Sequence, residues 1–238
     1  MESEKEMLCH HYKCIFIHIP KAAGQSVEQV FLKALDLDWN TRAPLLLMPN
    51  DNPLLGPQSL AHLTAQEYVD KKYMTAEQFS SYFKFTFVRN PYERLVSTYI
   101  YFDYIKRYDF NYFIKEIVTS NLHERYTRHF LPQTIYLTND DGLSLVDFIG
   151  RMENLQNDFL AICKTIGLSN ASLPHTNKTK TNTTSRKPIK KILESVEDWN
   201  TRKRRRPTYF DYYDKEAFDL TNSLYEADFV RFGYEMRS

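Results

Sequence analysis

The stretch that most constrains the fold is Cys-Ile-Phe-Ile-His-Ile-Pro-Lys-Ala-Ala-Gly-Gln-Ser-Val-Glu-Gln-Val-Phe, residues 14–31. Its short apolar run is ended by Pro20, the pattern of a buried strand, expected over residues 13–19. One lysine and three small residues follow, Lys21-Ala22-Ala23-Gly24. From Ser26, which suits a helix cap, Val27, Val30, Phe31 and Ala34 recur at helical spacing to about Leu35. The same grammar returns further on. Residues 83–88, Phe-Lys-Phe-Thr-Phe-Val, alternate apolar and polar as a strand does. Arg89 stands where that strand stops, Asn90 suits an N-cap, and Pro91 suits the first helical position, where its missing N–H goes unneeded.

The remaining segments are read against these two units. Residues 40–60 carry Pro44, Pro49, Pro53 and Pro57 and are expected to be loop. Helices are expected from Thr64 to about Lys71, from Thr75 to Tyr82, and from about Asp214 to Phe229. Thr134 to Leu137 reads as a strand closed by Asn139-Asp140-Asp141-Gly142. Ser144 and Asp147 form a capping-box-like start for a helix whose stripe is Leu145, Phe148, Ile149, Met152, Leu155, Phe159, Ile162 and Ile166, stopped by Gly167. The polar residues 172–187 read as loop. Strands alternating with helices predict a single α/β domain over residues 13–238, after a tail at 1–12, with a central, mainly parallel sheet flanked by helices.

Composition narrows the function classes. Three cysteines, Cys9, Cys14 and Cys163, are an odd number without metal-ligand spacing, which argues against a disulfide framework or a zinc site. No run approaches the roughly 18 apolar residues of a membrane span, and the charged first residues lack the apolar core of a signal peptide. The expected compartment is cytoplasmic. The net charge of +1 hides an asymmetry: residues 175–206 hold eleven Lys or Arg against Glu194, Glu197 and Asp198. Such a segment suits an anionic ligand, and equally suits a solvated loop.

In a parallel α/β sheet, ligands sit beyond the carboxyl ends of the strands. Both strand–turn–helix units carry their polar residues at such an end. At the first, small residues let backbone N–H groups approach an anion, with the helix N-terminus and Lys21 adding positive charge. At the second, Arg89 offers a planar fork suited to phosphate oxygens, and Ser97 lies two turns into the helix. The alternatives are a surface lysine and an Arg89–Glu93 ion pair within one helix. The lysine precedes the small residues, so this is not the ATP/GTP loop G-x-x-x-x-G-K-[ST].

Ile19-Pro-Lys-Ala-Ala-Gly-Gln-Ser26 followed by Phe87-Val-Arg-Asn-Pro-Tyr-Glu-Arg-Leu-Val-Ser-Thr-Tyr99 resembles the two signature motifs of the family 2 carbohydrate sulfotransferases. Residues 129–133, 146–159, 173–179 and 225–235 are similar to that family in its order, and the helix after Pro91 is similar to heparan sulfate 2-O-sulfotransferase. The resemblance implies a P-loop nucleotide-kinase-like fold and the donor 3′-phosphoadenosine 5′-phosphosulfate; no metal is expected, because no acidic or His/Cys cluster accompanies the two phosphate sites in the sequence. It implies a carbohydrate acceptor rather than a nucleic acid. Lys21 with the backbone of Ala22, Ala23, Gly24, Gln25 and Ser26 would hold the 5′-phosphosulfate, Arg89 and Ser97 the 3′-phosphate, and the loop of Asn177, Lys178 and Thr179 would approach the nucleotide. Ala22 and Gln25 stand where the family often has hydroxyl side chains.

Sulfuryl transfer needs a base for the acceptor hydroxyl, and His is the side chain best suited near neutral pH. Of seven histidines, His62 in Leu60-Ala-His-Leu-Thr-Ala-Gln-Glu-Tyr68 is the expected base, by resemblance to the heparan sulfate enzyme. His129 is second and Glu67 third, while His18, inside the strand, reads as structural. Glu153 reads as an ion-pairing residue as readily as a ligand contact. Two rivals share these features: a nucleotide-dependent kinase, which would need Mg²⁺ ligands, and a non-catalytic module binding glycan or nucleotide, with Arg202–Arg206 as a possible clamp.

Overall fold

The computed structural model describes residues 8–124, 128–169, 173 and 208–238. Lys178, with Asn177, Thr179, His175 and the basic run at 202–206, lies outside the described residues. Four strands form one sheet in the order β1 (Leu8–Cys9), β2 (Cys14–Ile17), β3 (Phe83–Val88) and β4 (Phe148–Arg151). β1 is an antiparallel edge, so the sheet begins before residue 13. β2, β3 and β4 run parallel, with Cys14 opposite Phe83 and Phe85 opposite Phe148. This is the α/β arrangement expected from the alternation of elements.

Nine helices are described along the chain. They are α1 (Gly24–Ala34), α2 (Glu67–Asp70), α3 (Ala76–Ser81), α4 (Pro91–Tyr101), α5 (residues 110–121), α6 (Gln133–Leu137), α7 (Leu155–Ile166), α8 (Lys215–Leu224) and α9 (Glu226–Phe232). Helix α5 holds a wide π turn over Phe113–Val118. The Thr75–Gln78 capping box starts α3, and Asn90 accepts from the Tyr92 N–H to start α4 behind Pro91. The stretch read as one last helix is broken at Tyr225 into α8 and α9.

Two cores result. Around the sheet, Phe16 stacks on Phe85 with ring centroids 5.2 Å apart, over buried Ile15, Ile17, Phe87 and Phe159; each such side chain stabilises by about 1.5–3 kcal/mol. Beside it, Tyr92 and Tyr99 of α4 pack with Phe113, Tyr213 and Phe229 in a second, aromatic cluster.

Three sequence expectations are corrected. Residues 134–137 are helix α6, not a strand, because the buried Asp228 carboxylate accepts from the Gln133 and Thr134 N–H groups at 2.8 and 2.9 Å and caps the turn there. The helix expected from Ser144 begins only at Leu155, and Phe148–Arg151 is strand. Asp147 caps nothing in that segment: its carboxylate accepts from the Lys84 N–H at 2.8 Å and pairs with the Lys84 ammonium at 2.9 Å, fixing the register of β4. Ser26 is not the cap of α1 either, because that helix begins at Gly24 behind Ala23.

Candidate active site

Because β2 and β3 are parallel, both deliver their next residues to the same edge of the sheet. After β2 the chain turns through Lys21 (φ 69°) and Ala23 (φ 67°), both left-handed. Non-glycine residues rarely adopt that region, and it persists only where the surroundings hold it. Ala23 is the N-cap of α1 and supplies no side-chain acceptor. The Ala22 N–H is used on the Ile19 carbonyl (3.2 Å) and the Ser26 N–H on the Ala23 carbonyl (3.0 Å). The N–H groups of Ala23, Gly24 and Gln25 have no acceptor among the described residues. Only this part of the expected 22–26 cradle is therefore open to an anion. The α1 dipole adds to it.

Gly24 is there for space. A Cβ on it would lie 1.7 Å from His18 Nε2, so the imidazole rests directly on its Cα. That ring is held by Glu28 Oε1, 2.7 Å from Nδ1, and by stacking on Phe16. Both members of the pair are buried.

Arg89 follows β3 directly and reaches back to the first unit: its Nη1 donates to the Lys21 carbonyl at 3.4 Å. Its Nε and Nη2 both donate to Glu93 Oε2 at 3.3 Å, so the helical ion pair set against phosphate binding is present. The Gln133 side chain clasps the Arg89 backbone, accepting from N–H at 3.0 Å and donating to C=O at 2.8 Å. Ser97 is half-buried on α4, one turn beyond Glu93 and one before Tyr101, all on one stripe. The Lys21 ammonium sits 3.7 Å above the centre of the exposed Tyr101 ring. Burial first, and the charge of Arg89 second, pull the Lys21 ammonium down to about 8.

His62 reaches the same edge from a single 3-10 turn, Leu60–His62. Its Nδ1 lies 3.3 Å from the His18 carbonyl oxygen, its ring 4.6 Å from that of His18 and 5.5 Å from that of His129. Burial, with His18 and His129 nearby, holds its pKa well below the usual histidine range. Glu67 is removed as a base. Arg128 donates to both its oxygens, one at 2.7 Å, and Thr64 N–H donates at 3.0 Å. Burial opposes its charge, but Arg128 overcomes this and keeps the carboxyl below its ordinary value. Arg128 also donates to the His62 carbonyl at 3.1 Å, so this pair holds the His62 turn in place. Glu153 accepts from the Tyr234 hydroxyl at 3.2 Å rather than from Arg151.

Sequence reasoning missed the residues that tie these pieces together. Arg94, 1% exposed, donates to the carbonyls of Pro20 (3.1 Å), Leu131 (2.8 Å) and His129 (3.2 Å). One side chain thus joins the turn after β2, helix α4 and the His129 loop. Its only sequence signal was a charge among Tyr92, Leu95 and Val96 on a helix face that otherwise reads as core. Arg128, Gln133 and Asp228 carried none, since their partners are distant in the chain.

A cleft of about 270 Å³ lies beside the ends of β3 and β4, lined by residues that include Asn90, Arg151, Tyr209 and Tyr234. A wider hollow of about 550 Å³, between Gln29 and Trp39, sits at the far end of α1 from the Lys21 turn. The charged groups Lys21 and Arg89 converge at the strand ends rather than at this hollow. Among the described residues, no three His, Cys, Asp or Glu side chains come together to hold a metal ion, and no helix is long and apolar enough to cross a membrane.

The comparisons with known proteins give a family. The family model described as the sulfotransferase family matches residues 6–235, nearly the whole chain. An uncharacterized protein of Archaeoglobus fulgidus is 38% identical over 118 residues, covering 48% of this chain and 88% of that protein. No solved structure matches the chain.

Proposed function

The chain belongs to the sulfotransferase family, and from that premise we propose that it moves the sulfuryl group of 3′-phosphoadenosine 5′-phosphosulfate to a carbohydrate hydroxyl, with Lys21 at the leaving oxygen and His62 as general base. The observation that carries the reading is the convergence of two cations and a neutral histidine on one strand edge, bridged by Arg89 to the Lys21 carbonyl and by His62 to the His18 carbonyl. The residues fit a donor with two separated anionic groups. The uncapped start of α1 and Lys21 suit one group, and the Arg89 fork with Ser97 suits the other.

The bound donor supplies the sulfuryl group and a phosphate that leaves with the bridging oxygen. The rest falls to the chain's own side chains. Charge grows on that oxygen as the bond to sulfur breaks, so a protonated Lys21 aimed there binds the transition state more tightly than the ground state. Arg89 holds the distant phosphate and so orients the donor, a positioning effect rather than a chemical one. To bind it, the guanidinium must exchange Glu93 for phosphate oxygens.

His62 has the tautomer a base requires. A carbonyl oxygen only accepts, so the contact to the His18 carbonyl keeps the proton of the neutral ring on Nδ1. Nε2 is left with its lone pair, and the depressed pKa keeps the ring neutral at pH 7. It would take the acceptor's proton at Nε2.

The test is thermal unfolding of wild type, Lys21→Ala and Arg89→Ala with 3′-phosphoadenosine 5′-phosphate, with ATP and Mg²⁺ as the control. At a hundredfold excess over Kd, binding adds about 2.7 kcal/mol, a rise of roughly 5–10 °C for a domain of this size. The expected result is a rise larger than that with ATP and weakened most by Arg89→Ala. No rise in wild type at saturating ligand would refute the proposal.

A further inference from the structure

We propose that the Tyr101 ring is the resting place of Lys21 in the donor-free protein, that the donor draws Lys21 away, and that the ring face so uncovered is where the acceptor sugar lies. This rests on the sulfotransferase reading and adds an order to it: donor first, acceptor second.

The argument is geometric. Lys21 Nζ stands 3.7 Å from the Tyr101 ring centre, a close cation–π contact. Among the described residues the ammonium makes no hydrogen bond at the start of α1, so meeting a leaving oxygen there would draw it off the ring. Tyr101 is 57% exposed at the end of α4, while the helix's other tyrosines, Tyr92 and Tyr99, are buried in the aromatic core. Its ring lies near-parallel to that of His129, 16° and 6.4 Å between centroids, and His129 in turn lies 5.5 Å from His62. Tyr101 therefore borders both the cation assigned to the leaving oxygen and the histidines assigned to the acceptor proton. A pyranose presents an apolar C–H face that lies well on an aromatic ring. Once Lys21 has gone, Tyr101 offers such a face where an acceptor hydroxyl would have to arrive. With Lys21 in place, the ammonium covers it.

The resting contact opposes donor binding, because it must be broken first. An exposed cation–π contact corresponds to roughly a two- to fivefold change in affinity. The test is calorimetric titration with 3′-phosphoadenosine 5′-phosphosulfate of wild type, Tyr101→Phe, Tyr101→Leu, Lys21→Ala and the double variant Lys21→Ala/Tyr101→Leu. Tyr101→Leu is expected to bind roughly two- to fivefold more tightly than wild type. Tyr101→Phe, which keeps the ring face, should stay within about twofold of wild type. In the Lys21→Ala background, Tyr101→Leu should change nothing. A merely structural role for Tyr101 would weaken binding, and would do so in both backgrounds. The inference is overturned if Tyr101→Leu binds no more tightly than wild type, or if its effect persists without Lys21. If wild type itself fails to bind the donor, the sulfotransferase reading fails and this inference with it; the two failures are thereby distinguished.

Discussion

Replacing Gly24 with alanine tests the packing beneath the anion turn more directly than any charge substitution. The added Cβ would lie 1.7, 2.1 and 2.3 Å from three atoms of the His18 ring. The ring has nowhere cheap to go, for it stacks on Phe16, pairs with Glu28 at 2.7 Å and meets the His62 ring edge-on. Overpacking of this kind costs about 1–3 kcal/mol, and a Cβ only 1.7 Å from the ring puts Gly24→Ala near the top of that range. The gain in helix propensity of alanine over glycine returns about 1 kcal/mol. The expected net loss is about 1–2 kcal/mol, a fall in Tm of roughly 2–8 °C. The decisive assay is a double-mutant cycle by chemical denaturation. In a His18→Ala background the ring is gone and the Cβ enters open space, so Gly24→Ala should cost less than about 1 kcal/mol there. If Gly24→Ala is equally destabilising with and without the His18 ring, the packing argument is wrong.

Three further outcomes are expected. His62→Ala should lower turnover at least about 100-fold while leaving affinity for 3′-phosphoadenosine 5′-phosphate near wild type; unchanged turnover rejects the base. Lys21, at about 8 in the folded protein against 10.5 ordinarily, loses its proton above pH 8 while the unfolded chain keeps it, so its penalty on stability holds below pH 8 and lifts between pH 8 and 10.5. Binding the same nucleotide should therefore take up a proton at pH 9 in wild type and not in Lys21→Ala, read by calorimetry in buffers of different ionisation enthalpy. Glu67→Gln leaves buried Arg128 without its counter-charge and should cost about 3 kcal/mol at pH 7. Because the Glu67 pKa is lowered on folding, its stabilisation is complete above the unfolded value and is lost as pH falls through the folded one. The gap between the two proteins should then narrow in acid denaturation profiles.

What was legible in the chain was local. The apolar run before Pro20, the Asn90-Pro91 start and the helix from Thr75 each encode their element within a few residues, and each is found where expected. The errors lie where distant residues decide. Thr134-Ile-Tyr-Leu137 has strand chemistry, but its first N–H groups meet a carboxylate more than ninety residues away, which makes it helix. The apolar spacing from Leu145 runs smoothly into that of the true helix at Leu155, so periodicity alone joins them. What breaks the helix is pairing with β3, where Gly150 lies against the Phe87 ring so closely that a Cβ would come within 2.4 Å of it. In the site, Lys21 and Arg89 stood out as charges at strand ends. Arg94 and Arg128 did not, because they act on carbonyls and a carboxylate that only the folded chain brings to them.

The parallel pairing of β2 with β3 also has a consequence for biosynthesis. One edge of β2 is covered early by the Leu8–Cys9 strand, a hairpin that needs only four intervening residues. The other edge has no partner until residues 83–88 exist. At typical rates of synthesis, residues 18–82 take roughly 3–13 s to make. For that interval Ile15, Phe16 and Ile17 emerge as an apolar half-sheet, and the turn at Lys21 has neither Arg94 nor Arg89 to hold it. The proposed donor site would thus be a late product of translation, and nascent chains shorter than about helix α4 would expose apolar surface of the kind chaperones bind.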